Sequence, residues 1–458
     1  MASKPAIAQE QESRKFTHDG ANCELLRNWT GGIEMRHVAL LSTEFHPSNA
    51  IAAQRFVSFA RYLPEFGWHP HVICLAWSEN NCKTFDAELV DSDVAQSVFR
   101  AIPYHRQGNG SRAALGHAWS LRTQPRALVV KSANRITHRL SHLFPADYAF
   151  AARKALQQLD SKIKLSAVMA TFPMSAPLSV ADWSARNLNL PWVADFRDIL
   201  DQAYLVNDAK RRAHLQTKEF QLLRSCSAIT TVSEPLKLKL SQRHSKPIEV
   251  ITNGFDPWDY RRLKDEPIRK PDQLTLAYTG KLIRHHRDPT LVLKAINSLI
   301  ESGEIAPAKI RIDFYGSDSA IVDDSTAGLD HVRRVVSCSP RQPRDETLRA
   351  QRNSHLLLHF SHGKEKGIMT GKIFEYLAAK VPILSVPGDG DVVDRLLVET
   401  RTGKSCNTLE SLKTSLLESY RCWLTSGTIP YEADESVIAK YSRRKQAEKL
   451  SVLLDAIA

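Results

Sequence analysis

Between Val94 and Ala146 the chain carries no acidic residue. Arg100, Arg106, Arg112, Arg122, Arg126, Lys131, Arg135 and Arg139 fall in that stretch, interleaved with Trp119, Leu121, Leu128, Ile136, Leu140 and Phe144. Cations without carboxylate neighbours make poor surface ion pairs. Mixed with large apolar side chains, they suit an interfacial segment drawn to anionic lipid. An irregular basic insertion packed on its own domain is the alternative. Nucleic acid is not favoured, because no helix-turn-helix, zinc-finger or RNA-binding signature accompanies the charge.

Other absences narrow the class. Seven cysteines form no C-x-x-C pair and show no zinc spacing, which favours free thiols in a reducing, cytoplasmic setting. No apolar run reaches the roughly 20 residues that span a bilayer, so any membrane association is expected to be peripheral. Walker A, G-x-S-x-G and H-E-x-x-H strings are missing, and the loop after the first strand lacks G-x-G-x-x-G. A nicotinamide dinucleotide site in the first domain is therefore not expected. His355, His359 and His362 invite a metal reading. A strand through them would turn His362 to the opposite face, so no metal is expected.

What is present is a repeated alternation of strand and helix. A chain of 458 residues exceeds what one hydrophobic core usually supports. The formal charge of +12 points to an anionic partner. Residues 1–34 are polar and aperiodic and read as a loosely ordered tail. RHVALLS (36–42), a helical run containing Ile51, Phe56, Phe59, Ala60 and Leu63, and PHVICLA (70–76) together make a βαβ unit. AVMAT (167–171), PWVAD (191–195), AITTV (228–232) and IEVIT (248–252) continue the series. Residues 257–273, rich in charge and proline, read as an interdomain linker. A second series follows: LTLAYTG (274–280), KIRIDFYG (309–316), HVRRVV (331–336), HLLLHF (355–360) and PILSV (382–386). Asp288 and Pro289 predict a helix N-cap and first turn. The expected architecture is α/β, with two doubly wound Rossmann-like domains (35–256 and 274–430) facing across a cleft. A terminal helix within 431–458 is expected to pack back towards the first domain.

The chemistry is most legible between Gly367 and Leu384. Thr370 is a plausible N-cap, Gly371 and Lys372 open a helix, and Lys372 and Glu375 share its face away from Ile373, Phe374 and Leu377. A lysine at a helix N-terminus faces the wrong end of the macrodipole, which makes sense if an anionic ligand docks there. An ordinary solvated turn of helix is the other reading. Strand-end clusters such as Asp195-Phe196-Arg197-Asp198 lie where open α/β sheets place their ligands.

The ordered strings PWVADFRD, TTVSEPL, VITNGFD, YTGKLIRHHRDP, FYGS and GIMTGKIFEYLAAKVPIL resemble the nucleotide-sugar-dependent glycosyltransferases of the GT-B fold. The likeness is to the large retaining bacterial polysaccharide and glycolipid group, glycosyltransferase family 4. It implies an acceptor domain, then a donor domain. Lys281 and Arg287, six positions apart after Gly280, would clamp the donor diphosphate. Glu375 would accept hydrogen bonds from the nucleotide ribose. The loop Thr370, Gly371 and Lys372 would present backbone N–H groups to the donor. A nucleotide-diphosphate sugar would be the co-substrate, with no further cofactor, and the partner a carbohydrate or lipid-linked acceptor. The basic segment 100–144 would hold such an acceptor at the inner face of the plasma membrane.

Two departures qualify the resemblance. The group's usual acid, eight positions before Glu375, is Gly367 here, and Glu365 is no assured substitute. The histidine that many relatives carry on the acceptor side is Arg197 here, flanked by Asp195 and Asp198. Asp198 would orient an acceptor hydroxyl or brace Arg197, and Arg55 is a weaker candidate for an anionic acceptor. A nucleotide-sugar 2-epimerase on the same fold and a non-catalytic partner subunit are the rival readings.

Overall fold

The computed structural model describes residues 35–77, 82, 97–101, 146–200, 208–261, 263–284, 286–362 and 366–458. The tail 1–34, Glu365 and most of the basic stretch lie outside these residues. Arg100, which is described, donates from Nη1 to the His46 carbonyl at 2.5 Å.

Among the described residues thirteen strands build two sheets. The first contains β1 (Arg36–Leu41), β2 (Trp68–Leu75), β3 (Ser97–Ala101), β4 (Ala167–Phe172), β5 (Trp192–Phe196), β6 (Ala228–Thr231) and β7 (Ile248–Val250). Its order is β3-β2-β1-β4-β5-β6-β7, with every pairing parallel. The second contains β8 (Leu274–Thr279), β9 (Ile310–Tyr315), β10 (Val336–Ser339), β11 (Leu356–His359), β12 (Ile383–Ser385) and β13 (Gly403–Ser405). Its order is β10-β9-β8-β11-β12-β13, again parallel throughout. Parallel strands need helical crossovers on both faces, so the central strands are buried on both sides and read as continuous apolar runs. β4 and β8 are buried at every position.

Strand order reverses between β1 and β4 in the first sheet and between β8 and β11 in the second. Loops leaving neighbouring strands at such a point diverge and open a crevice. The chain crosses between the domains twice. Residues 257–273 are not a bare strap, since they begin with a helix, Pro257–Arg261, whose Asp259 is buried. The second crossing runs into the helix Arg443–Ile457. Its Ala447, Leu450, Leu453 and Leu454 join Val38, Leu40, Phe56 and Phe59 in one core cluster of the first domain. Phe255 N–H donates to Tyr441 O at 3.2 Å and Arg443 N–H to Phe255 O at 2.8 Å where the strands of chain cross. A Cβ on Gly254 would collide with the Tyr441 carbonyl, so only glycine fits.

Two local expectations are corrected. HVRRVV is not a strand: Asp330–Arg333 turn as a helix that buries Val332, and the strand starts at Val336. The helix expected to start at Pro289 starts at Thr290, with Asp288 one place outside the cap. Asp288 still accepts from Thr290 N–H at 2.8 Å, which does the work of a cap from that position.

Candidate functional site

The loops at the two switch points face each other across a cavity of about 710 Å³. From the second domain, β8 is followed by Gly280, whose φ of +130° no side chain tolerates well. Its N–H donates to Tyr315 O at 2.7 Å, and Ser317 Oγ donates to its carbonyl at 2.8 Å. A Cβ there would also lie 2.7 Å from Lys372 Nζ. Beyond it, Lys281 is exposed and lines the cavity. The loop folds back through Arg287 N–H to Ile283 O at 2.9 Å, which brings Arg287 to the same wall.

After β11 the chain reaches Gly367, at φ +80°. Its N–H donates to Asp391 Oδ2 at 2.6 Å, and Ser233 Oγ of the opposite domain donates to its carbonyl at 2.8 Å. The helix Gly371–Ala379 follows. Thr370 occupies its N-cap in extended conformation, but its side chain makes no capping bond. Lys372 Nζ lies 3.8 Å from the centroid of the Tyr278 ring. Burial pushes the Lys372 amine well below its ordinary pKa, Arg287 adds to the effect, and Glu375 opposes it. An anion docking beside Lys372 would favour its charged form. Arg344 Nη1 donates to Glu375 Oε1 at 3.0 Å. The rings of His286 and His362 lie with centroids 5.3 Å apart and tilted by 39°, and His362 also lines the cavity.

The first domain contributes Asn49, Gln54, Arg197, Asp198, Val232, Leu236 and Asn253. Arg197 donates from Nε and Nη2 to Phe172 O at 3.2 and 3.1 Å, which fixes the loop after β5. Burial lowers its pKa, against the pull of Asp195 and Asp198.

Arg55 and Asp195 are placed elsewhere, and this corrects their reading as acceptor-side groups. They form a 2.9 Å ion pair with side chains 2% and 0% exposed, beneath the cavity wall. Asp195 also accepts from Thr171 Oγ1 at 2.9 Å and Thr230 Oγ1 at 2.8 Å, and Arg55 Nη1 donates to Thr252 O at 2.8 Å. All three guanidinium nitrogens and both carboxylate oxygens of the pair have partners within the fold, leaving little to offer a ligand. The histidines are likewise engaged. His359 Nδ1 lies 3.0 Å from Ser385 Oγ, and His355 Nε2 lies 3.2 Å from the Trp423 indole nitrogen.

Gly280, Lys281, Arg287, Thr370, Gly371, Lys372 and Glu375 thus line one cavity with Arg197 and Asp198. Arg341 and Arg344 join them, and sequence reasoning missed both. They follow β10 in the string PRQPR, and misplacing that strand hid them. Arg341 Nη2 donates to Asn49 O at 2.8 Å across the cleft. The cavity therefore gathers six cationic side chains, Arg197, Lys281, Arg287, Arg341, Arg344 and Lys372, against two carboxylates, Asp198 and Glu375.

Solved structures share this two-domain fold over almost the whole chain. Anabaena HepE, solved in complex with UDP and glucose, superposes with a TM-score of 0.56 at 13% identity, covering 92% of this chain and 100% of that one. A glycosyltransferase from Rickettsia africae gives 0.55 at 12% identity, with 92% and 98% covered. The N-terminal domain of Candida albicans trehalose-6-phosphate phosphatase gives 0.60 at 9% identity, with 92% and 97% covered. The chain has the GT-B fold. At these identities the likeness is one of fold, and the sequence matches no family model and no curated protein. In this GT-B chain the cavity is the interdomain cleft, and the carboxyl ends of both sheets open into it.

Proposed function

We propose that this chain is a glycosyltransferase of the retaining bacterial polysaccharide and glycolipid type. It moves a sugar from a nucleotide-diphosphate sugar to a hydroxyl of a carbohydrate or lipid-linked acceptor. The observation that carries the reading is the charge of the cleft: six cations and Glu375 around a cavity large enough for a nucleotide sugar. Lys281 and Arg287 bind the diphosphate, with the N-terminal amides of the helix Gly371–Ala379 beside them. Glu375 accepts from the ribose hydroxyls. As the bond from the sugar's anomeric carbon to phosphate oxygen breaks, negative charge grows on the diphosphate, and the fixed cations stabilise it. The acceptor oxygen forms the new bond to that carbon, and its proton passes to the departing phosphate oxygen. Asp198 orients the acceptor hydroxyl, and Arg197 holds the loop that carries it.

The acceptor is proposed to sit at the inner face of the plasma membrane, with segment 100–144 against anionic lipid. Among the described residues no helix is long and apolar enough to cross a membrane.

A thermal-shift panel of UDP-, GDP-, ADP- and dTDP-sugars tests the donor assignment, because a true donor stabilises the folded form by mass action. One nucleotide class should raise Tm in a concentration-dependent way, and Lys281→Ala should abolish the shift. No shift with any of them would refute the donor site. Conversion of the bound donor to its 2-epimer without an acceptor would favour the epimerase reading.

A further inference from the structure

The ribose-binding carboxylate is tied to the domain linker. Glu375 Oε1 accepts from Arg344 Nη1 at 3.0 Å, while Oε2 has no partner among the described residues. The same guanidinium turns its Nε to Asp259 Oδ2 at 2.8 Å, and its Nη2 pairs with that oxygen as well. Asp259 belongs to the linker helix Pro257–Arg261. One residue on, Tyr260 OH donates to the backbone carbonyl of Glu375 at 2.8 Å. The linker helix therefore grips Glu375 twice, at its main chain and, through Arg344, at its carboxylate. The start of that helix is anchored in the other domain. Asp256 accepts from Tyr62 OH at 2.6 Å and from Ser58 Oγ at 3.3 Å, and it pairs with Arg61.

We infer that Asp259 and Arg344 are positioning residues for the nucleotide. Acting from the linker, they lock the Glu375 carboxylate in the rotamer that offers Oε2 to the ribose. This rests on the donor-site reading above and adds a mechanism to it. A lone Glu side chain spreads over many rotamers, and ordering it on binding weakens affinity. Arg344 removes that cost in advance, because its planar fork addresses two carboxylates at once. Only the side chains 19% (Arg344), 9% (Asp259) and 20% (Glu375) exposed are involved, so the chain of contacts is partly shielded from water and salt. Burial pushes the Asp259 carboxyl up, but Arg344, with Arg443 and Arg61 adding to it, turns the net shift downward, so the bridge is ionised at neutral pH. The linker helix is where the two domains meet, so the same bridge couples ribose occupancy to their relative position.

Isothermal calorimetry of the full chain with UDP, GDP and ADP, each beside its 2′,3′-dideoxy counterpart, tests this. The wild type should prefer the ribose form of its cognate diphosphate by about ten-fold, as for one charge-assisted hydrogen bond. Asp259→Asn should cut that preference to about two-fold while leaving the dideoxy affinity nearly unchanged, and Arg344→Lys, at a residue that itself lines the cavity, should cut the preference by a similar factor. Asp256→Asn, one residue before the same helix and facing the first domain, should lower Tm and keep the ten-fold preference. A generic structural defect would weaken both ligand forms together, and that result would overturn the inference. So would an unchanged ribose preference in Asp259→Asn and Arg344→Lys. A wild type that binds none of the three diphosphates would overturn the donor-site reading itself.

Discussion

The two walls of the cleft use charge in opposite ways. On the first-domain side the strongest pair, Arg55 with Asp195, is sunk beneath the surface and saturated by Thr171, Thr230 and the Thr252 carbonyl. Arg197 is on the surface of that wall, yet its guanidinium is bound to the Phe172 carbonyl. On the second-domain side Lys281, Arg287 and Lys372 face the cavity, and no carboxylate pairs with them among the described residues. A buried charge with a full set of partners holds a fold together. A row of cations with no carboxylate paired to them is arranged for something that arrives. Under the proposed function, the wall whose charges are satisfied within the fold would be the acceptor wall, where a neutral hydroxyl needs orientation more than countercharge.

The largest effect that would break this contrast lies on the first-domain wall. Asp195→Ala leaves the Arg55 guanidinium buried and unpaired and strips two threonine hydroxyls of their acceptor. Breaking one partner of a buried pair costs about 3–5 kcal/mol, so urea unfolding should show a severe loss of stability. A variant with near-native stability and altered acceptor use would return Asp195 to the site.

The second-domain wall should respond in the reverse sense. Arg287→Ala removes a charge-assisted contact worth about 1.5–3 kcal/mol, which is roughly a ten- to hundred-fold rise in nucleoside-diphosphate Kd. Its unfolding midpoint should move little, since among the described residues no carboxylate depends on it. A stability loss comparable to that of Asp195→Ala would erase the distinction between the walls.

How far the sequence foretold this depends on burial. β4, β8 and β11 are central, buried along their whole length, and stand out as apolar runs. β10 and β13 lie at the sheet edges, where one flank is free and polar residues are tolerated. VSCS and GKS therefore carry no apolar signature, while the nearby HVRRVV has one that belongs to a helical turn. Losing β10 also lost Arg341 and Arg344 from the site, because their string could not be seen as a strand-end loop. The pairing of Arg55 with Asp195 spans 140 positions. Nothing in local spacing distinguishes such a buried arginine from one on a helix surface. Lys281 and Arg287 sit in the loop directly after the central strand β8, and Glu375 on the helix that follows β11; the family resemblance of their strings, rather than local spacing alone, singled them out.

The smallest effect concerns what the walls share. Beneath their different surfaces both sheets bury neutral histidines. Burial pushes His71 in the first domain down to about 3, with His37 adding to it. Burial does the same to His359 in the second, with Lys372 and Arg287 adding, also to about 3. Each folded-state pKa lies below the unfolded value, so protons bind the unfolded chain more readily. The stability this contributes is complete above the unfolded pKa of roughly 6.5 and is lost as pH falls towards the folded value. From pH 7 to pH 6 the loss should be under about 1 kcal/mol per histidine. Urea midpoints at the two pH values should therefore fall modestly for the wild type, and His71→Gln and His359→Gln should each flatten the dependence by a similar amount. If only one substitution does so, acid acts on one domain alone, and the two sheets differ in their interiors as well as at the cleft.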